Sequence, residues 1–155
     1  LFRSYYELIE HYEHGLGKIS HSHLDVGEPL SLTNETKKDI AAHLESEYRR
    51  LTRLTPASLV AFAINGKREI YHAALCNMVE DYLLQFEETP VLQSYSVKHA
   101  NNIEDVVTLG LIGLNAGEKN SCIVQQGERL FVNEYGHRIP HYANTVAHHF
   151  SPRQP

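Results

Sequence analysis

The spacing of residues 68–86 constrains this chain more than any other stretch. Leu75, Val79, Tyr82 and Phe86 recur at i, i+4, i+7 and i+11, which on a helix makes one apolar stripe facing a core. At about 100° per residue, Glu80, Asp81, Glu87 and Glu88 fall on the opposite side. A third long helix over 68–86 is therefore predicted, with one face packed on a second layer and four carboxylates in solvent. No base separates the four, although lysines at i+4 would relieve their repulsion.

These acids belong to a wider asymmetry. Residues 1–68 carry nine bases and nine acids, 69–118 carry one base (Lys98) and eight acids, and 119–155 carry four bases and two acids. The net charge of −5 thus originates in the middle third, which also holds Glu104 and Asp105. A concentrated field of one sign steers partners of the opposite sign. The same balance argues against nucleic acid, whose binding depends on neutralising phosphates with Lys and Arg. The basic cluster at 48–53 has three arginines on a helix of mixed charge, the pattern of a solvated face.

Residues 4–14 read as a helix with Tyr5, Leu8, Ile9 and Tyr12 on one face, stopped by Gly15 and Gly17. Residues 18–33 read as a loop. A second helix is predicted from a Thr33 cap, with Glu35 in its first turn and Ile40, Leu44, Leu51 and Leu54 at helical spacing, broken by Glu47. Thr55 and Pro56 restart the chain as cap and first helical residue. Ala57–Ile64 then makes a short buried helix ending at Asn65 and Gly66, in preference to a hairpin turning at the same Asn-Gly pair.

Residues 91–98 read as a strand. Asn102 caps a helix over Ile103–Leu114 that ends at Asn115, Ala116 and Gly117. Residues 121–133 read as a hairpin turning at Gln126, Gly127 and Glu128. A last extended segment is expected over 138–150, with Pro140 confining it to an edge. The pattern predicts a single α+β domain over 1–155, with N-terminal helices packed on a small, mostly antiparallel C-terminal sheet.

At 155 residues and 42% hydrophobic content the chain can close one core without staples. No apolar run approaches the roughly 20 residues of a membrane span, so no membrane partner is expected. Cys76 and Cys122 form no CxxC pair, and each reads as a small buried hydrophobe. Free core thiols point to a reducing compartment, the cytosol.

Eleven histidines invite a search for metal or acid–base sites. His21, His23 and Asp25 form H-x-H-x-D, which is similar to part of the metallo-β-lactamase signature, where two histidines hold one metal and the aspartate helps hold another. Val26 stands where that signature has a further histidine, and no apolar strand precedes it, so these residues are not expected to hold a metal jointly. His137 and His141 have H-x3-H spacing, but Pro140 lies between them and no glutamate fills the slot of H-E-x-x-H. His148 and His149 would point to opposite faces of an extended segment. His43 and His72 read as packed or surface histidines within helices. Residues 113–121 loosely resemble a P-loop, but Glu118 separates Gly117 from Lys119 and Asn120 follows the lysine. No G-x-S-x-G elbow exists for any serine.

No catalytic residue, cofactor or metal site is therefore expected. The predicted function is a small acidic binding protein that docks on a basic protein surface and occludes it. Inhibitors that neutralise toxins, such as bacterial immunity proteins, are one class that works this way. The expected partner-binding residues are Glu80, Asp81, Glu87, Glu88, Glu104 and Asp105. To these are added Tyr135, His137, Arg138, His141 and Tyr142, a polar aromatic cluster rich in the types that interfaces favour. The alternative is a histidine- or metal-dependent hydrolase using the C-terminal histidines. An acidic homodimeric chaperone or adaptor is a third possibility.

Overall fold

Side-chain oxygens decide where the helices begin. The computed structural model describes residues 26–28, 36–86, 91–115, 121–133 and 138–150. The first described helix, α1, spans Lys37–Leu51. Thr36 caps it: its hydroxyl accepts from the Asp39 N–H, and the Asp39 carboxylate accepts from the Thr36 N–H. This corrects the expected cap at Thr33, which with Glu35 lies outside the described residues. A reciprocal box needs a side-chain acceptor three residues on, and Asp39 supplies it for Thr36.

The next helix, α2, spans Pro56–Ile64 and follows the predicted design, with Thr55 as cap and Pro56 at its start. It is apolar all round and correspondingly buried, with Leu59, Val60 and Ala61 wholly out of solvent. Gly66 turns the chain at φ +75°, a conformation glycine adopts without penalty. Two elements then share the stretch predicted as one helix. Strand β1 is Glu69–Tyr71, and helix α3 is His72–Leu84, beginning with no loop between them. The apolar stripe holds as expected: Leu75 and Val79 are buried, Tyr82 is half-buried against the core, and Phe86 is buried just past the helix.

Residues 91–98 do not form the expected strand. A single parallel bridge joins Leu54 and Gln93. Ser94 is still extended, at φ −67° and ψ 160°, and Tyr95–Lys98 then closes into a one-turn helix, α4. Leu54 exchanges backbone bonds with both sides of Gln93, donating to Leu92 O at 2.8 Å and accepting from Ser94 N–H at 2.9 Å. Those bonds use up the local pairing a longer strand would need.

Helix α5 spans Ile103–Asn115, with the Asn102 side chain accepting from the Asp105 N–H at 2.9 Å. Gly110 lets this helix approach α2 closely: a Cβ there would lie 2.5 Å from both Pro56 O and Val60 Cγ2. Asn115, predicted to end the helix, also clamps the next strand through two 2.9 Å bonds to the Ile123 backbone. The hairpin is as predicted. Strand β2, Ile123–Gln126, pairs with β3, Arg129–Val132, across Gly127 and Glu128. Gly127 has φ +62°, as the first central residue of a type II′ turn requires.

Strand β1 pairs antiparallel with β3 through Ile70 and Leu130, giving the order β1-β3-β2. Ile70 and Leu130 both bury their side chains, which explains why 69–71 leaves the helical pattern.

The segment 138–150 is helix α6, Arg138–Phe150, not an extended edge. Pro140 is its third residue, inside the first turn, where backbone N–H groups have no helical partner to lose. Ile139, Ala143 and Val146 are buried at helical spacing. Phe150 closes an aromatic cluster, stacked on Phe62 at 4.2 Å and meeting the edges of Tyr82 and Phe86. Helices α3, α5 and α6 pack on α2, so the architecture is α+β with helix predominating. No helix among the described residues is long and apolar enough to cross a membrane.

Candidate functional site

Two packed helices, α3 and α5, carry four of the eight acids of the middle third. Glu80 and Asp81 are exposed on α3, as predicted from their spacing, and Glu104 is exposed in the first turn of α5. Asp105 is half-buried and accepts from the Asn101 side chain at 3.2 Å. Glu87 and Glu88 lie outside the described residues. The solvent side of α3 also carries Ala73, Asn77 and Leu84, the last 54% exposed. Ala73, Asn77, Glu80 and Leu84 follow at i, i+4, i+7 and i+11, so apolar, amide and carboxylate groups share one face.

A cluster that the sequence reading missed sits at the edge of this face. His72 and Cys76 are one turn apart on α3, and Glu104 reaches across from α5. The Cys76 thiol donates to Glu104 Oε2 at 3.3 Å, and His72 Nδ1 lies 3.7 Å from the same sulfur. Glu104 Oε1 lies 3.4 Å from His72 Nε2. One ligand atom from each of the three residues lies within 4.8 Å of the other two. Among the described residues, no other group of three or more His, Cys, Asp or Glu converges in this way.

The electrostatics of the cluster follow from its position. Burial, the hydrogen bond to Glu104, and the charges of Glu104 and Glu80 push the Cys76 thiol up to about 11. A bare thiolate is thus disfavoured, and the sulfur carries its proton at neutral pH. The cluster is anchored through backbone. His72 donates its N–H to Glu128 O at 2.8 Å, tying the start of α3 to the hairpin turn. Next to it, Arg129 lies over the Tyr71 ring and donates to the Tyr71 hydroxyl at 2.7 Å.

The C-terminal residues divide differently. Arg138, His141 and Tyr142 lie in the first turns of α6, with His141 exposed and Tyr142 half-buried against the core. The His141 and Tyr142 rings meet edge-on at 5.6 Å. Tyr135 and His137, like His21, His23 and Asp25, are outside the described residues, so only His141 of the H-x3-H pair is described. His148 and His149 sit on one helical turn and hold backbone oxygens of the preceding elements, Arg49 O at 2.9 Å and Thr52 O at 3.1 Å. A carbonyl only accepts, so both imidazoles carry their proton on Nε2.

Near the start of α6, a recess of about 460 Å³ is lined by Ile64, Lys67, Arg68, Asn133, Ile139 and Pro140. The arginines of the basic cluster at 48–53 are partnered within their own chain. Arg49 pairs with Glu45, Arg50 with Glu47, and Arg53 donates to Gln93 O.

The site residues legible in the sequence were those whose exposure follows helix period. His72 and Cys76 carried a signal too, the H-x3-C spacing of a helical face, but Glu104 reaches them only through the packing of α5 on α3. Comparison with protein-family models, with characterised proteins and with solved structures finds no match to this chain.

Proposed function

We propose that the protein is a binding module whose α3–α5 face docks on a basic protein surface and occludes it, in the manner of an inhibitor. One observation carries the reading: Glu80, Asp81 and Glu104 are exposed on two packed helices, within a stretch whose only base is Lys98. Such a field raises the association rate with a cationic partner and rejects acidic ones. Leu84, half exposed on the same face, supplies apolar area for the contact itself. The hydrolase alternative has less support, because His148 and His149 are engaged with backbone oxygens.

The experiment compares wild type with the triple variant Glu80→Gln, Asp81→Asn, Glu104→Gln as bait for cationic proteins, with a chelator present. The fold should persist, since exposed charge changes usually move stability by only about ±0.5 kcal/mol. A cationic partner retained by wild type should associate at least tenfold more slowly with the variant at low salt. The gap should close as salt rises. Equal association rates at low salt would mean that these acids only solvate the helices.

A further inference from the structure

We propose that His72, Cys76 and Glu104 form a binding site for a divalent cation of borderline softness, with zinc the ion that fits best. The donor set is one imidazole nitrogen, one sulfur and one carboxylate oxygen. Thiolate selects against magnesium and calcium, and imidazole and carboxylate both accept zinc. Three protein ligands with a position left to solvent is the arrangement of an open zinc site.

The geometry agrees with the chemistry. With zinc–ligand bonds of about 2.0–2.3 Å, the edges of a tetrahedron around the ion are about 3.4–3.6 Å. The closest approaches within the cluster are 3.3, 3.4 and 3.7 Å. These use both ring nitrogens and both carboxylate oxygens. A single atom from each residue spans at most 4.8 Å, so little more than ~1 Å of convergence completes the site. Cys76 lies at the bottom, 8% exposed, while Glu104 forms the solvent side, and the ion has a route in past the carboxylate.

Charge favours the ion as well. Glu104 and Glu80 place negative charge beside the sulfur, and that charge attracts a dication. As the sulfur–metal bond forms, the thiol proton passes to the buffer. The bound ion ties the first turn of α3 to the first turn of α5, and through the His72 N–H to the hairpin.

The test uses the reduced full chain with zinc alone, and cobalt(II) as its spectroscopic stand-in. Zinc should bind one per chain and raise the melting temperature. Cobalt(II) should give the near-ultraviolet thiolate charge-transfer band. The chain has only two cysteines, so the band assigns the ligand. Cys122→Ser should keep it and Cys76→Ser should abolish it. Glu104→Gln and His72→Gln should each weaken zinc at least tenfold. Glu104→Gln changes an exposed side chain, which keeps the test valid should Cys76→Ser fail to fold.

Absence of the band at stoichiometric cobalt(II) would overturn the proposal. So would a band surviving in Cys76→Ser, or zinc affinity unchanged in Glu104→Gln, which would place the metal on the other histidines. Cys76→Ser leaves every carboxylate of the docking face in place. Loss of metal with docking retained, or the reverse, therefore separates this inference from the proposed function.

Discussion

Helices α1 and α2 begin alike and finish in opposite surroundings. Each starts with a threonine whose hydroxyl accepts from the backbone three residues on, while that residue's side chain accepts from the threonine N–H. Yet α1 buries none of its 15 residues, and α2 buries seven of its nine. The cap therefore decides where a helix starts and says nothing about where it goes. Composition decides that. α2 carries no charge, whereas α1 mixes three acids with four bases and is held by polar contacts. Arg50 clasps Glu47 through two bonds, the Glu28 N–H donates to the same carboxylate, and His148 and His149 hold carbonyls at the end of α1 and just beyond it.

The largest expected effect breaks the packing side of this contrast. Gly110→Ala places a methyl 2.5 Å from Pro56 O, a backbone atom that cannot rotate away. Helix α5 must then lift off α2, and the global stability should fall by about 3 kcal/mol, the upper range for overpacking a close contact. Urea unfolding reads this directly. A loss below about 1 kcal/mol would mean that the α2–α5 crossing is looser than the geometry shows.

The caps offer a more even comparison. Thr55→Ala removes the start of the helix around which the core is built, and should cost about 1 kcal/mol in the global transition. Thr36→Ala removes the same bonds from α1. There the expected result is loss of amide protection in the first turn of α1, with the global midpoint moving less than half as far. Equal global losses would show that α1 unfolds together with the core, and the distinction between the two helices would fail.

Much of the fold was legible because its signals are local. Asn102 before an apolar helix, Thr55 before Pro56, and Gly127 at the centre of a hairpin each act within a few residues. The errors arose where distant partners or competing signals decide. Residues 69–71 become a strand because β3, about 60 residues later, pairs with them. Ile139, Ala143, Val146 and Phe150 do follow helical spacing, but Pro140 suits an edge strand as well as the first turn of a helix, and the sequence pattern alone does not choose between them. At the site, Glu80 and Asp81 were legible from periodicity alone. The meeting of Glu104 with His72 and Cys76 depends on how α5 crosses α3, which no local pattern encodes.

The smallest expected effect concerns the polar anchors near the end of α1, and pH separates them. His149 is lowered below the usual histidine value of 6.5, chiefly by burial and also by the neighbouring His148, while its bond to Thr52 O opposes the shift. The unfolded chain therefore binds a proton there more readily than the folded one. Stability falls as pH drops through 6.5 and stops falling once the folded imidazole also protonates. Glu47 behaves in the opposite chemical sense with the same outcome. The Arg50 guanidinium and the Glu28 N–H hold it at about 2, against 4.5 for a free glutamate. Its contribution is complete above 4.5 and is lost as pH falls from there towards 2. Urea midpoints measured across pH should show two separate declines. His149→Gln should remove the upper decline and spare the lower, and Glu47→Gln should spare the upper and shrink the lower, to which Asp39, lowered by its bonds to Thr36, also contributes. If His149→Gln leaves the upper decline intact, other histidines cause it, and the bond to Thr52 O does not anchor the end of α1 as described.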